Sequence, residues 1–465
     1  MEEEEKSLQV FKNAPVYEAV LKNALPAMAA MLMVLIYNLA DTFFIGQTHN
    51  DLMVAAVSLA TPVFLMFSAV GSLFGVGGTS VISRALGEGH TDYAKKVCSF
   101  CMWSCVVVGI VMSAAFLIFM DPLLTLIGAS ADTWDYAKEY MIIVTLAGPF
   151  SLISNCFSNI LRSEGQANKA MMGQLLGNLL NMCMDAVLII GLGWDIFGCA
   201  LATFIGELFA AAFYITFYLR KQSMLGVSIK NFTLGDGVTK NVLVIGVPAS
   251  LATILMSVSQ IIINSRMSAY DDMAVAGMGV AMKVVTITGM VCMGLGQGVQ
   301  PLLGYCVGAK NWDRFNKAFR FSLLFAFLLG AALTILCYVF TGQIVGVFLT
   351  EQQSFDYAVQ FAHILLMTSW LFGVFYVLLN ALQAMGAATA SLVINLSRQG
   401  IIFIPALFIL EAVMGITGLV WAQPVADLIS LGLALILVVK SIRGMEYTSG
   451  NFEKNLDSGD GDEIE

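Results

Sequence analysis

The sequence predicts an all-α integral membrane protein with twelve transmembrane helices in two pseudo-symmetric six-helix lobes. Three observations carry this: an apolar composition, twelve runs long enough to cross a bilayer, and an internal repeat. Of 465 residues, 58% are hydrophobic and 12% charged, whereas a soluble domain carries about 25% charged residues. Mean hydropathy is +0.82. The net charge of −9 misrepresents the body of the chain, because acids cluster in the opening "MEEEEK" and the closing "NLDSGDGDEIE". Both ends read as solvated polar tails. No cleavable leader is read before the first apolar run, so the mature chain is expected to begin at or near Met1.

A membrane helix needs about 20 mostly apolar residues. With that window the first six spans fall at 22–46, 53–83, 97–120, 136–161, 168–192 and 196–219. The second six fall at 242–266, 274–305, 318–342, 356–384, 388–410 and 416–440. Lys and Arg gather in alternate connections: Lys6, Lys12 and Lys22 before span 1, Arg84, Lys95 and Lys96 after span 2, Arg162 and Lys169 after span 4. They recur at Arg220, Lys221, Lys230 and Lys240, at Lys310, Arg314, Lys317 and Arg320, and at Lys440 and Arg443. The other connections are short and acidic, with Lys138 the clearest exception. The positive-inside rule then places both termini in the cytoplasm.

Shifted by 221 residues, the chain matches itself. Gly75 falls on Gly296, Gly87 on Gly308, Asp92 on Asp313, Lys96 on Lys317, Asn159 on Asn380 and Gly165 on Gly386. Near the starts the shift is 222 (Pro26 on Pro248), and near the ends 220 (Gly198 on Gly418, Glu207 on Asp427). The boundaries that follow are an acidic tail 1–14, a lobe 15–219, a linker 220–241, a lobe 242–443 and an acidic tail 444–465. Six helices per half is an even number, so the halves share one topology about an axis along the membrane normal. Transporters built this way place substrate between the halves, near the midplane.

Polar residues inside lipid are functional candidates by default; the alternative is hydrogen-bonding glue between helices. Span 5, "QLLGNLLNMCMDAVLII", sets Gln174, Asn178, Asn181 and Asp185 at spacings of 4, 3 and 4, on one helix face. Span 1, "LIYNLADTFFIGQ", sets Tyr37 and Asp41 on one face, with Asp41 expected near the middle of the helix. A carboxylate at the bilayer centre costs roughly 2.5–3.5 kcal/mol even on insertion scales, so Asp41 and Asp185 are functional candidates, and Asn181 and Asp185, one turn apart, can both hold one ion. Glu207 and its repeat mate Asp427 either brace the lobes or line a path for cations. The positions matching Asp41 are Ile262 or Ile263, and that matching Asp185 is Ala406, so no second cation pair is expected in the C-terminal half. Span 7 instead carries a neutral stripe of Ser250, Thr253, Ser257, Gln260 and Asn264, suited to lining a cleft. Lys283 and Arg398 are fixed cations, either salt-bridged or repelling cations from that half. His363 reads as a packing residue. A membrane enzyme would need clustered His or Asp-rich motifs at a membrane face and is not expected, because the three His (His49, His90, His363) are dispersed; "GVGGTS" lacks the Lys of a phosphate loop. Nine cysteines include Cys98, Cys101 and Cys105 in "KKVCSFCMWSC"; without partner ligands they read as small buried residues. The 26 Met and 31 Phe supply adaptable apolar lining.

The chain resembles the multidrug and toxic-compound extrusion (MATE) transporters, most closely their bacterial MepA-like branch. The resemblance runs from about Pro15 to Arg443 and rests on "GVGGTSVISRALGEG", its repeat "GLGQGVQPLLGYCVGAKN", "NILRSEGQANKA", "NALQAMGAATAS" and "GVPA". It implies two lobes in a V and export of organic cations or amphiphiles in exchange for H⁺ or Na⁺, with no other cofactor. It also matches Asp41, Asn181, Asp185, Asn159 and Thr203 to a cation site in the N-terminal lobe, beside Tyr37. The resemblance thus implies an Asp41–Asp185 pair, and since two carboxylates in one dry pocket resist being ionised together, the pair suits a shared proton, while its oxygens suit Na⁺ equally. Gln174, Asn178, Glu207, Ser257, Gln260, Asn264, Lys283 and Asp427 are then candidates for the substrate cavity. The Glu that Na⁺-driven vibrio-type members carry on helix 7 is missing, which tilts the expectation towards H⁺. Expected partners are the small-molecule cargo, the coupling ion and membrane lipids, with no nucleic acid. A monomer in the bacterial cytoplasmic (inner) membrane is expected. The rival reading is a flippase for a lipid-linked or amphiphilic substrate in the same superfamily; the excess of intramembrane acids over Lys283 and Arg398 favours cationic or neutral cargo.

Overall fold

The computed structural model describes residues 8–457, apart from His49, Lys221 and Thr350. Lys6 and the acidic ends 1–7 and 458–465 of the two tails lie outside the described residues. Lipid offers the backbone no hydrogen-bond partner, so an apolar chain crosses it as helices. The helices are α1 (Val16–Gly46), α2 (Asp51–Gly87), α3 (Thr91–Ile118), α4 (Trp134–Ser163), α5 (Ala167–Asp185), α6 (Asp195–Leu219), α7 (Val238–Ser268), α8 (Asp272–Gly308) and α9 (Trp312–Val339). Next come α10 (Gln352–Ser369 and Phe372–Ala384), α11 (Ala388–Leu396 and Phe403–Met414) and α12 (Ile416–Asp457). Eleven are long and apolar enough to cross a membrane, and the bent pair makes a twelfth.

Three features depart from the expected spans. Span 10 is broken, its halves meeting at 48°; the backbone of Trp370, at the break, lies against Gly330 of α9, where a side chain would not fit. Two short helices, Met120–Leu126 and Thr341–Phe348, occupy repeat-equivalent connections. Each lobe's fifth helix also carries a π turn: Ala186–Gly191 directly after Asp185, and Ser397–Ile401 around Arg398. Such turns widen a helix locally and often mark functional positions.

Within the N-terminal half, α2 and α3 pack on α4, α4 and α5 on α6, and α1 on α5. The C-terminal half packs α8 on α10, α9 on α10 and α11 on α12. The halves meet in a symmetric exchange, α1 against α8 and α7 against α2, with α2 also touching α8. The first turns of α1 (Ala19, Val20, Ala24) are accordingly buried in an apolar cluster of the C-terminal half, with Leu295, Val299 and Leu302 of α8.

Both chain ends and the turns after α2, α4, α6, α8 and α10 lie at one end of the bundle, here the tail end. There the halves are pressed together. A Cβ on Gly298 of α8 would stand 2.6 Å from Ala24 Cα and from the Asn23 carbonyl oxygen. One on its repeat mate Gly77 of α2 would run into the Val242 carbonyl of α7. Arg162 Nη1 donates to Gln297 Oε1 at 2.9 Å across the interface, and Ser80 Oγ donates to the carbonyl of Gln383, the repeat mate of Arg162.

This contact predicts that Gly298→Leu separates α1 from α8 and disfavours closure at the tail end. Spin labels on the α2–α3 and α8–α9 turns should report longer distances than in the parent chain. An unchanged distance distribution would refute the assignment.

Candidate functional site

The N-terminal half encloses a polar cavity of about 140 Å³ between α1, α2, α4, α5 and α6. Tyr37, Gln174, Asn178, Asn181, Thr203 and Glu207 line it, joined by Asn38, Ser68, Ser151, Ser154 and Asn155. The 4–3–4 spacing on α5 thus brings Gln174, Asn178 and Asn181 to one wall, and Asp185 continues the stripe into full burial. Asp41 reaches the same point from α1. It lies five residues before α1 ends at Gly46, about one and a half turns, and not at the middle of the helix as the sequence suggested.

Here three ligand-type atoms converge. One carboxylate oxygen each of Asp41 and Asp185 and the Cys199 sulfur all lie within 4.8 Å of one another. Cys199 donates to Asp41 Oδ1 at 3.4 Å. Thr203, one turn on from Cys199, receives the Asn181 amide at 3.4 Å, leaving Asn181 Oδ1 buried without a partner. Both oxygens of Asp185 are likewise buried and accept no hydrogen bond. A buried carboxylate in that state is costly unless a proton or a cation occupies the point its oxygens face. The ligand set fits either: two carboxylates converge, with an amide oxygen and a hydroxyl on the adjoining turns of α5 and α6. Cys199, four residues before Thr203 on α6, escaped the sequence reading; its shared face with Thr203 was the available signal.

Asn159 is not part of this cluster. It lies several turns nearer the tail end, where its amide donates to the Asn155 carbonyl at 2.9 Å and its Oδ1 accepts from Arg162 at 3.2 Å. The surrounding "NILRSEG" works structurally: Arg162 spans the lobe interface, and Glu164 accepts from Tyr218 and Ser223, fixing the start of the linker to the α4–α5 turn.

The C-terminal half is built differently. Asp427 accepts from Arg398 Nε at 2.7 Å, Gln423 at 2.9 Å and Thr368 at 3.5 Å. Its mate Glu207 lines the N-terminal cavity with no ion pair among the described residues. Gln260 lines the C-terminal cavity and donates to Asn264 Oδ1 at 3.1 Å. Ser257 bonds back to the Thr253 carbonyl, Lys283 sits 4.8 Å over the Phe348 ring, and His363 stacks on Tyr338 at 4.2 Å. An acid that went unremarked in the sequence, Glu411, is held by Arg266 in a fork of three bonds of 2.8–3.1 Å between α7 and α11.

Two six-helix halves, each around a cavity, the N-terminal one polar and the C-terminal one mainly apolar, define a multi-pass membrane transporter, and comparison with known proteins agrees. The MatE family model matches twice, at residues 26–187 and 248–409, with both blocks offset by 222. The chain belongs to the MatE family. The multidrug export protein MepA of Staphylococcus haemolyticus (strain JCSC1435) is 30% identical over 93% of this chain and 96% of its own length. That of Staphylococcus aureus (strain MSSA476) is 29% identical over 94% and 97%. Among solved structures, a multidrug resistance MATE family transporter in an outward-facing conformation superposes with TM-score 0.90 at 22% identity, over 95% of this chain and 99% of that one. A MOP superfamily transporter from Pyrococcus furiosus gives 0.90 at 21%, over the same shares.

The Arg398–Asp427 pair carries a stability prediction. Arg398→Gln strands a buried carboxylate and should cost about 3–5 kcal/mol, read as a lower midpoint in thermal unfolding of the solubilised protein. Adding Asp427→Asn should recover most of the loss. A single variant as stable as the parent would show the pair to be dispensable.

Proposed function

We propose that this protein is a secondary antiporter that exports organic cations and amphiphiles in exchange for H⁺ by alternating access, with the tail end in the cytoplasm. The observation that carries the reading is the Asp41–Asp185 pair, with both Asp185 oxygens buried and unbonded. The names of the MepA relatives support the cargo class. The Lys and Arg distribution supports the orientation. With that orientation, the closed tail end corresponds to an outward-facing conformer. Cys199 supports H⁺ over Na⁺: its sulfur stands beside Asp41, where a hard cation calls for oxygen. Asp41, Asp185, Asn181 and Thr203 would hold the ion. Tyr37, one turn before Asp41, lines the cavity and is placed to feel its charge. Glu207, Gln174 and Asn178 would meet the cargo.

Ion loading changes the charge at the end of α1. An organic cation entering the same cavity competes for the same negative charge, so proton and drug take turns there. That competition couples the two fluxes without nucleotide.

Proteoliposomes containing the purified chain should move a fluorescent organic cation against a proton gradient without ATP. A Na⁺ gradient at symmetric pH should not replace it. Na⁺-driven transport indifferent to pH would overturn the choice of ion, and dependence on ATP would overturn the antiport. Asp41→Asn and Asp185→Asn should each lower coupled transport at least about tenfold, a loss of roughly 1.4 kcal/mol, with normal amounts of folded protein in the membrane. Asn181→Leu should do the same, whereas Asn159→Ala should keep the pH dependence. Full transport in both aspartate variants would remove the site from the mechanism.

A further inference from the structure

We propose that the C-terminal half holds a second binding site, for an amphiphile whose polar head is a carboxylate, received by Arg398. The site deepens the proposed export of amphiphiles, and its transport consequence rests on that reading. A cavity of about 220 Å³ lies among α7, α8, α10, α11 and α12. Its lining is predominantly apolar and includes Met256, Met278, Met282, Met290 and Met293, with Phe372 beside them. Unbranched thioether chains adjust to apolar bodies of different shape. Arg398 stands at one side, where a neighbouring cavity of about 180 Å³ shares Met256, Met293, Tyr376 and Arg398 itself.

The ion pair is unequally filled. Asp427 accepts from three donors and is nearly enclosed. Arg398 has five N–H groups to give, yet it places one on Asp427 at 2.7 Å and a second, long bond of 3.5 Å on the Tyr376 hydroxyl. The rest of its fork borders the two cavities. Its plane is clamped by the rings of Phe375 at 4.7 Å, Phe372 at 5.0 Å and Tyr376 at 5.7 Å. A guanidinium held in place is pre-organised for a planar two-oxygen acceptor. The unused capacity is therefore donor capacity, and a carboxylate matches it. Charge divides the halves accordingly: Glu207, without an ion pair among the described residues, lines the N-terminal cavity, whereas Arg398, beside its partner Asp427, brings spare donors to the C-terminal one.

The test is a fluorescence titration of the full chain in nanodiscs with dansyl-undecanoic acid and, separately, its methyl ester, each corrected for uptake by empty nanodiscs. The acid should bind at least about tenfold more tightly than the ester, roughly the worth of one charge-assisted contact. The double variant Arg398→Gln with Asp427→Asn leaves no stranded charge and should abolish that preference. Gly289→Leu should weaken both probes, because an added Cβ at Gly289 makes only ordinary contact with the Phe372 ring, at 3.8 Å, and the rest of the side chain enters the cavity. Equal binding of acid and ester by the parent chain, or a preference that survives the double variant, overturns the inference. Loss of ion-driven cation transport with the preference intact would instead refute the antiport reading and leave this site standing.

Discussion

A hydrocarbon solvent supplies no hydrogen bonds, so every polar atom in this bundle must find its partner within the protein. Most do. Asp427 is met by three donors, Glu411 by a guanidinium fork, and Glu164 by Tyr218 and Ser223. Against that background the unmatched oxygens of Asp185 stand out, with the free amide oxygen of Asn181 one turn away. The contrast separates acids whose oxygens are met by donors from Asp185, whose oxygens are not, and the proposed ion site rests on that difference. It is drawn from pairing rather than from depth, because Asp41 is close to the end of its helix and is dehydrated by neighbouring helices.

Duplication explains the scaffold and not the chemistry. Equivalent positions close the tail end (Gly77 and Gly298), cross the interface (Arg162 and Gln383) and carry the short connecting helices. The charged residues have diverged on this common frame. The C-terminal half has isoleucine and alanine where its partner has the aspartates, and an arginine where the partner has Gly177. Gly177 in turn lets α5 approach α6, where a Cβ would stand 2.8 Å from that of Ala210. A side chain at that one position would close the N-terminal cavity, whereas in the other half it supplies the cation.

Much of this was legible in the sequence. Hydropathy gave the spans and self-similarity gave the two halves, because both depend on residue type summed over long windows. The stripe from Gln174 to Asp185 was legible because a helix fixes which residues share a face. What escaped depended on contacts between distant segments. The break in α10 contains no proline and follows from close packing on Gly330 of α9. The pairing of Asp427 with Arg398 links residues 29 apart on two helices. Asn159 has the residue type and motif of an ion ligand, yet Arg162, three residues on, holds it at the lobe interface. Spacing assigns a face; it does not assign the neighbour opposite.

One element joins the two sets of interactions. The first turns of α1 are packed on α8 through Gly298, and its last turns carry Tyr37 and Asp41 into the N-terminal half. Pro26, inside the segment packed on α8, removes a backbone hydrogen bond and so lowers the cost of bending there. In the proposed mechanism a charge change at Asp41 would alter the forces on the far part of the helix. The near part is fixed by contact with the opposite lobe. Strain between them would then fall at or just beyond the proline-containing stretch packed on α8, so the proposed switching would load the lobe interface rather than either core.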